Sequence, residues 1–107
     1  MKKLTIHPGV CGMQTVVQAT YDDEEELVTL HVASGCAHIR AMMDALGSVF
    51  DPIELCLTRP GSGPLYEYAA EHFPPHGACP VIAGIRKCAE AESGLALPRA
   101  VSFTFEE

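Results

Sequence analysis

The sequence predicts an α+β fold: an antiparallel sheet of three to four strands with helices packed on one face. Three observations carry this expectation. Apolar residues alternate with polar ones through the first third of the chain, the period of half-buried strands. From Ile39 to Ala89 apolar residues recur at helical spacing, in segments punctuated by glycine and proline. A run of strands, then helices, then one more alternating stretch is the order of an α+β layer.

Lys3–His7 alternates as a short strand that Pro8-Gly9 ends. The stretch Met13–Tyr21 alternates again, with Thr15, Val17, Ala19 and Tyr21 on one face. Asp22-Asp23-Glu24-Glu25-Glu26 is a charge run between two strand patterns, which makes it a solvated hairpin turn. Leu27–Ser34 returns, with Val28, Leu30 and Val32 towards the core. Ile39, Met42, Met43 and Leu46 then form a helical stripe that Gly47 closes. Asp51–Leu57 reads two ways. Asp51 as cap and Pro52 after it suit a short helix, the alternation of Ile53, Leu55 and Leu57 suits a strand, and the helix is favoured slightly. Arg59–Pro64 is a loop by composition. Leu65–Phe73 reads as a helix stopped by Pro74-Pro75. A second helix runs from Pro80 to about Glu92 with Val81, Ile82, Ile85, Cys88 and Ala89 inward. Val101, Phe103 and Phe105 alternate with Ser102 and Thr104 as a last strand.

No linker or repeat divides the 107 residues, so a single domain, 1–107, is expected. Seven basic against fourteen acidic residues give a net charge of −7. That excludes the basic patches that nucleic acid or an anionic membrane surface requires. No apolar run is long enough to span a bilayer and no signal peptide is visible, so the expected compartment is the cytoplasm. There is no phosphate loop, nucleotide fingerprint or nucleophile elbow, and nothing points to a conventional enzyme.

The chemistry lies in five cysteines, an odd number that argues against a disulfide framework in a reducing compartment. Cys56 and Cys88 fall on apolar patterns and read as packing. Three others sit at element ends: Cys11 in Pro-Gly-Val-Cys-Gly, Cys36 in Ser-Gly-Cys-Ala, and Cys79 in Ala-Cys-Pro-Val. Cys79 is read as the cap of the last helix with Pro80 as its first residue. A helix N-terminus favours negative charge and so suits a thiolate. Soft thiolates select zinc, iron–sulfur clusters and monovalent copper. The reading is a metal or cluster site of Cys11, Cys36 and Cys79, their sulfurs within roughly 4 Å of one another, as ligands with Zn–S bonds of about 2.3 Å require. Three thiolates leave one coordination position, for which His76, water, a partner protein's ligand or a second subunit are candidates. Arg40, one turn beyond Cys36 on the same flank, would offset thiolate charge.

In these cysteines the chain resembles the U-type iron–sulfur cluster assembly scaffold, the fold shared with the N-terminal part of the nitrogen-fixation U protein. That family has a three-stranded antiparallel sheet covered by helices, with three cysteines at its tip. Here Cys11-Gly12 precedes the long hairpin, Gly35-Cys36 follows it and Cys79 opens the late helix, at intervals of 25 and 43 residues. Phe73-Pro74-Pro75 is similar to the family's Leu-Pro-Pro before its third cysteine. The likeness spans roughly residues 5 to 92 and implies an iron–sulfur cluster or zinc on the three cysteines. Met13 stands where the family carries an aspartate, and Ala78 where it carries a histidine. The family's lysine-bearing chaperone-recognition segment is missing, and the last strand from Val101 is extra. The chain also looks like a small uncharacterised bacterial and archaeal family with the same three cysteine signatures. Two other readings stand beside metal binding. One is a metal-free thiol or persulfide carrier or redox protein with Cys79 as nucleophile, although no Cys-x-x-Cys is present. The other is an interaction module using the Arg59–Pro64 loop, its cysteines structural.

Overall fold

The computed structural model describes residues 1–106. In chain order the elements are β1 (Lys2–Ile6), β2 (Thr15–Asp22), β3 (Leu27–Ser34), α1 (Ala37–Leu46), β4 (Val49–Phe50), α2 (Pro52–Cys56), α3 (Pro64–His72) and α4 (Val81–Glu92). The strands form one antiparallel sheet in the order β1-β2-β3-β4. The fold is α+β, as the alternation and its order predict.

The β2–β3 hairpin is closed by its acidic run. Asp22 Oδ1 accepts the backbone N–H of Glu24 at 2.9 Å and of Glu25 at 3.3 Å, and Glu26 takes a φ of 55°. This turn fixes a register in which Thr15, Val17 and Ala19 share the buried face with Val28 and Leu30. Thr15 is the polar member of that face, and its hydroxyl meets the Ser34 hydroxyl at 2.7 Å. Helix α4 covers this face, lying against β1, β2 and β3, while α1 lies against β3 and α3. Val81, Ile82, Ile85, Cys88 and Ala89 of α4 complete the core with Ile39, Met42, Leu55 and Leu65.

Close approach of α4 to β1 depends on Gly84. A Cβ there would lie 2.5 Å from Ile6 Cδ1 and 2.7 Å from Ile6 Cγ1. Lower on α4, Arg86 gathers the α2–α3 loop. Its guanidinium donates to the carbonyls of Cys56 (3.0 Å) and Ser62 (3.2 Å) and to the Thr58 hydroxyl (2.7 Å), and lies over the Tyr66 ring.

The ambiguous stretch at 51–57 is helical. Asp51 Oδ1 accepts the N–H of Ile53 at 2.8 Å and of Glu54 at 3.4 Å, so the cap outweighs the alternation. Leu55 and Cys56 turn inward, and Ile53 and Leu57 face solvent.

At the sheet edges one expectation is corrected and one unforeseen strand is found. Val101–Phe105 is not a strand. Among the described residues it has no ladder, and Phe103 and Phe105 are 86 % and 102 % exposed. Alternation sets which way side chains point, but a strand also needs a neighbour's free N–H and C=O groups, which this segment does not engage in its own chain. The fourth strand is instead β4, which pairs Phe50 with Val28 and Val49 with Thr29. Two residues are too few to show a period. Among the described residues no helix is long and apolar enough to cross a membrane.

Candidate functional site

Strand register brings the loops that carry Cys11 and Cys36 to one end of the sheet. Ile6 pairs with Thr15 and Thr15 with Ser34. The β1–β2 loop with Cys11 and the β3–α1 junction with Cys36 therefore leave the sheet side by side. Gly35 N–H donates to the Gln14 carbonyl at 3.1 Å and closes one loop on the other. Helix α4 reaches the same end because its first turn, at Gly84, rests on Ile6, the last residue of β1. Cys79 lies just upstream of that turn. The loop to it departs beside α1, since the Phe73 ring lies 5.7 Å from the ring of His38, two residues beyond Cys36.

Cys36 is the N-cap of α1, and its side chain makes no cap hydrogen bond. Its carbonyl accepts the Arg40 N–H, and its own N–H donates to Ser34 Oγ at 3.1 Å. Arg40 bends back so that Nη1 donates to the Ser34 carbonyl at 2.9 Å. The guanidinium is thereby tied to Ser34, two residues before Cys36. Ser34 is the residue the sequence reading missed. It holds Thr15, Cys36 and Arg40 at once, and the available signal was a serine directly before the glycine–cysteine pair that starts the helix. Arg40→Glu should slow alkylation of Cys36 at a fixed pH near neutrality, because a favourable charge is replaced by an unfavourable one. An unchanged rate would remove Arg40 from the thiol's surroundings.

Cys79 differs by one position from its expected place. Pro80 is the N-cap of α4, its carbonyl accepting the Gly84 N–H at 3.0 Å, so Cys79 stands one residue before the cap. Its N–H reaches the His76 carbonyl at 3.4 Å, which folds the His76–Cys79 stretch into a turn. His76 is exposed. Cys36 and Cys79 are half-buried against the core edge, and Cys11 is exposed on its loop. That loop is folded on itself by Gly12 N–H to the Gly9 carbonyl and Gln14 N–H to the Gly12 carbonyl, both 3.0 Å.

The expected convergence of sulfurs is not seen. Among the described residues no group of three His, Cys, Asp or Glu side chains is placed to hold a metal ion. The backbone elements share one end of the sheet, but the donors are not gathered. In this arrangement the three thiols do not form a ligand set among the described residues.

Cys56 and Cys88 are buried in the core. Burial pushes the Cys56 thiol up to about 11 from an ordinary 9.0; Glu90 adds to the shift and Arg86 opposes it. Burial likewise raises Cys88, helped by Glu92 and opposed by a backbone hydrogen bond from Ala19. Its thiol points at the Lys2 carbonyl, 3.5 Å away, and the Val17 carbonyl, 3.8 Å away. Cys56→Ala and Cys88→Ala should each cost about 1 kcal/mol of packing and leave any bound metal at the wild-type content. Metal loss in either would show that the site uses different cysteines. The Cys56 shift also sets a pH dependence. The unfolded thiol ionises near 9.0 and the folded one near 11, so Cys56 subtracts stability as pH rises through that window. Urea midpoints of wild type and Cys56→Ala measured from pH 8 to 11 should diverge accordingly; parallel curves would refute the shift.

The fold and this end of the sheet define a small α+β domain that carries three thiol-bearing loops together. By sequence the chain belongs to a family of unknown function (DUF6951), whose model matches residues 2–105. No curated protein matches the chain, and no solved structure does.

Proposed function

We propose that this chain is a small metal- or iron–sulfur-cluster-binding protein that uses the thiolates of Cys11, Cys36 and Cys79, in the manner of a scaffold or carrier. The observation that carries the reading is the pairing of Ile6 with Thr15 and of Thr15 with Ser34, which sets the first two thiol loops side by side, with Gly84 of α4 on Ile6 beside them. The Cys11 loop supplies the movement. Its side chains Val10 and Cys11 are exposed, so closing inward sacrifices no core contact. His76 or a second subunit takes the remaining position, and Arg40 offsets thiolate charge. The resemblance to the U-type scaffold supports the same donors. The reading also assumes a reducing, cytoplasmic setting, in which five free thiols persist.

Anaerobic purification followed by metal analysis and an absorption spectrum tests this. A cluster gives visible charge-transfer bands, and zinc gives a colourless protein with stoichiometric metal. Protein that neither retains nor takes up either one overturns the reading. That outcome would favour a metal-free thiol or persulfide carrier.

A further inference from the structure

We propose that Val101–Phe105 is a strand donated to a second copy of this chain, pairing antiparallel with the free edge of β1, and that the exchange is reciprocal. Four observations carry this. First, the segment alternates apolar and polar residues over five positions, the pattern of a half-buried strand, yet its apolar side chains are solvent-exposed in its own chain: Val101 59 %, Phe103 86 % and Phe105 102 %. Three apolar side chains of one face left in water mark a contact site.

Second, β1 is the outer strand of the sheet, so one row of its backbone N–H and C=O groups has no ladder partner. Open edges of this kind accept strands from other chains.

Third, a groove runs beside that edge, lined by Lys2, Leu4, Cys88, Ala91, Leu97 and Pro98. It lies on the core side of β1, where α4 passes. With Val101 set opposite Ile6, Phe103 falls opposite Leu4 and Phe105 opposite Lys2. The three apolar side chains then point to the groove side with Leu4 and Ile6, while Ser102 and Thr104 point outward with Thr5 and Lys3. A one-residue slip would put the aromatic rings in water.

Fourth, charge favours the antiparallel sense. In a chain at −7, Lys2, Lys3, Lys87 and Arg99 line this groove against a single acid, Glu90. Glu106 succeeds Phe105 and comes to the Lys2 end in the antiparallel arrangement. The chain's own Ala96–Ala100 stretch already lines the groove, and Val101–Phe105 leads away from it exposed. A second copy, offering the same edge and the same segment, closes a two-fold dimer in which both are used.

The test is sedimentation velocity on the full chain across the micromolar range, with amide exchange read by mass spectrometry. Wild type should dimerise, and protection should rise together in Val101–Phe105 and Lys2–Ile6 over the same concentrations. Phe103→Asp with Phe105→Asp should weaken the dimer by at least about 100-fold, given roughly 1.5 kcal/mol or more for each ring kept from burial. Both positions lie outside the core, so the variant folds. A wild type that stays monomeric overturns the proposal, including a monomer with a protected Val101–Phe105, which would mean pairing with its own edge. A dimer that survives the double substitution, or whose protection omits β1, overturns it as well.

Discussion

Cys79→Ala should abolish metal or cluster retention while leaving the metal-free fold within about 1 kcal/mol of wild type. The side chain lies upstream of the α4 cap and is only half-buried at the core edge, so its removal costs little packing. His76→Ala should weaken retention only mildly, because three thiolates persist. Measured side by side after anaerobic reconstitution, the two variants separate a thiolate-dominated site from one in which His76 is essential. If Cys79→Ala holds metal as tightly as wild type, Cys79 is not a ligand and the three-thiolate reading falls, whatever the other cysteines do.

Arg86→Met should be the most damaging substitution outside the apolar core, costing about 2–4 kcal/mol. The guanidinium is the donor shared by the Cys56 carbonyl, the Ser62 carbonyl and the Thr58 hydroxyl, and it also covers the Tyr66 ring. Methionine fills much of the volume and supplies no donor, so partly buried acceptors lose their partner together. For a chain of this length the loss corresponds to a midpoint lowered by roughly 10–20 °C. The α2–α3 loop should also become the first site of limited proteolysis. A midpoint within a degree or two of wild type would mean that water replaces the guanidinium without cost.

What the sequence revealed and what it hid divide along a physical line. β2, β3 and helices α1 and α4 were legible because each buries one face over more than one period, β1 and α3 because proline or glycine ends a short apolar pattern, and the hairpin turn because of its charge run. Asp51 identified α2 through its capping chemistry even though the apolar pattern was ambiguous. β4 was hidden because two residues carry no period, and Val101–Phe105 misled because a correct period does not supply a partner. At the candidate site, loop positions could be inferred from where strands end. The spread of the sulfurs was not legible, because loop side chains such as Cys11 obey no repeat. Ser34 was passed over because its importance lies in three hydrogen bonds formed only after folding.

The seating of Gly84 on Ile6 has a kinetic side. The loops that carry Cys11 and Cys36 are brought to one end of the sheet by neighbouring strands, contacts that close early because the intervening chain is short. Cys79 arrives only when α4 docks on β1, a step whose partners are as remote as Cys88 and Lys2, 86 positions apart. Loop-closure entropy makes that step late. The loop that carries the third thiol therefore reaches this end of the sheet only near the end of folding, and a partly folded chain presents at most two of the three loops there. On the proposed metal-binding reading, a soft metal met during synthesis would find at most two of the three thiol loops in place, and the three-thiol set would belong to the finished fold alone.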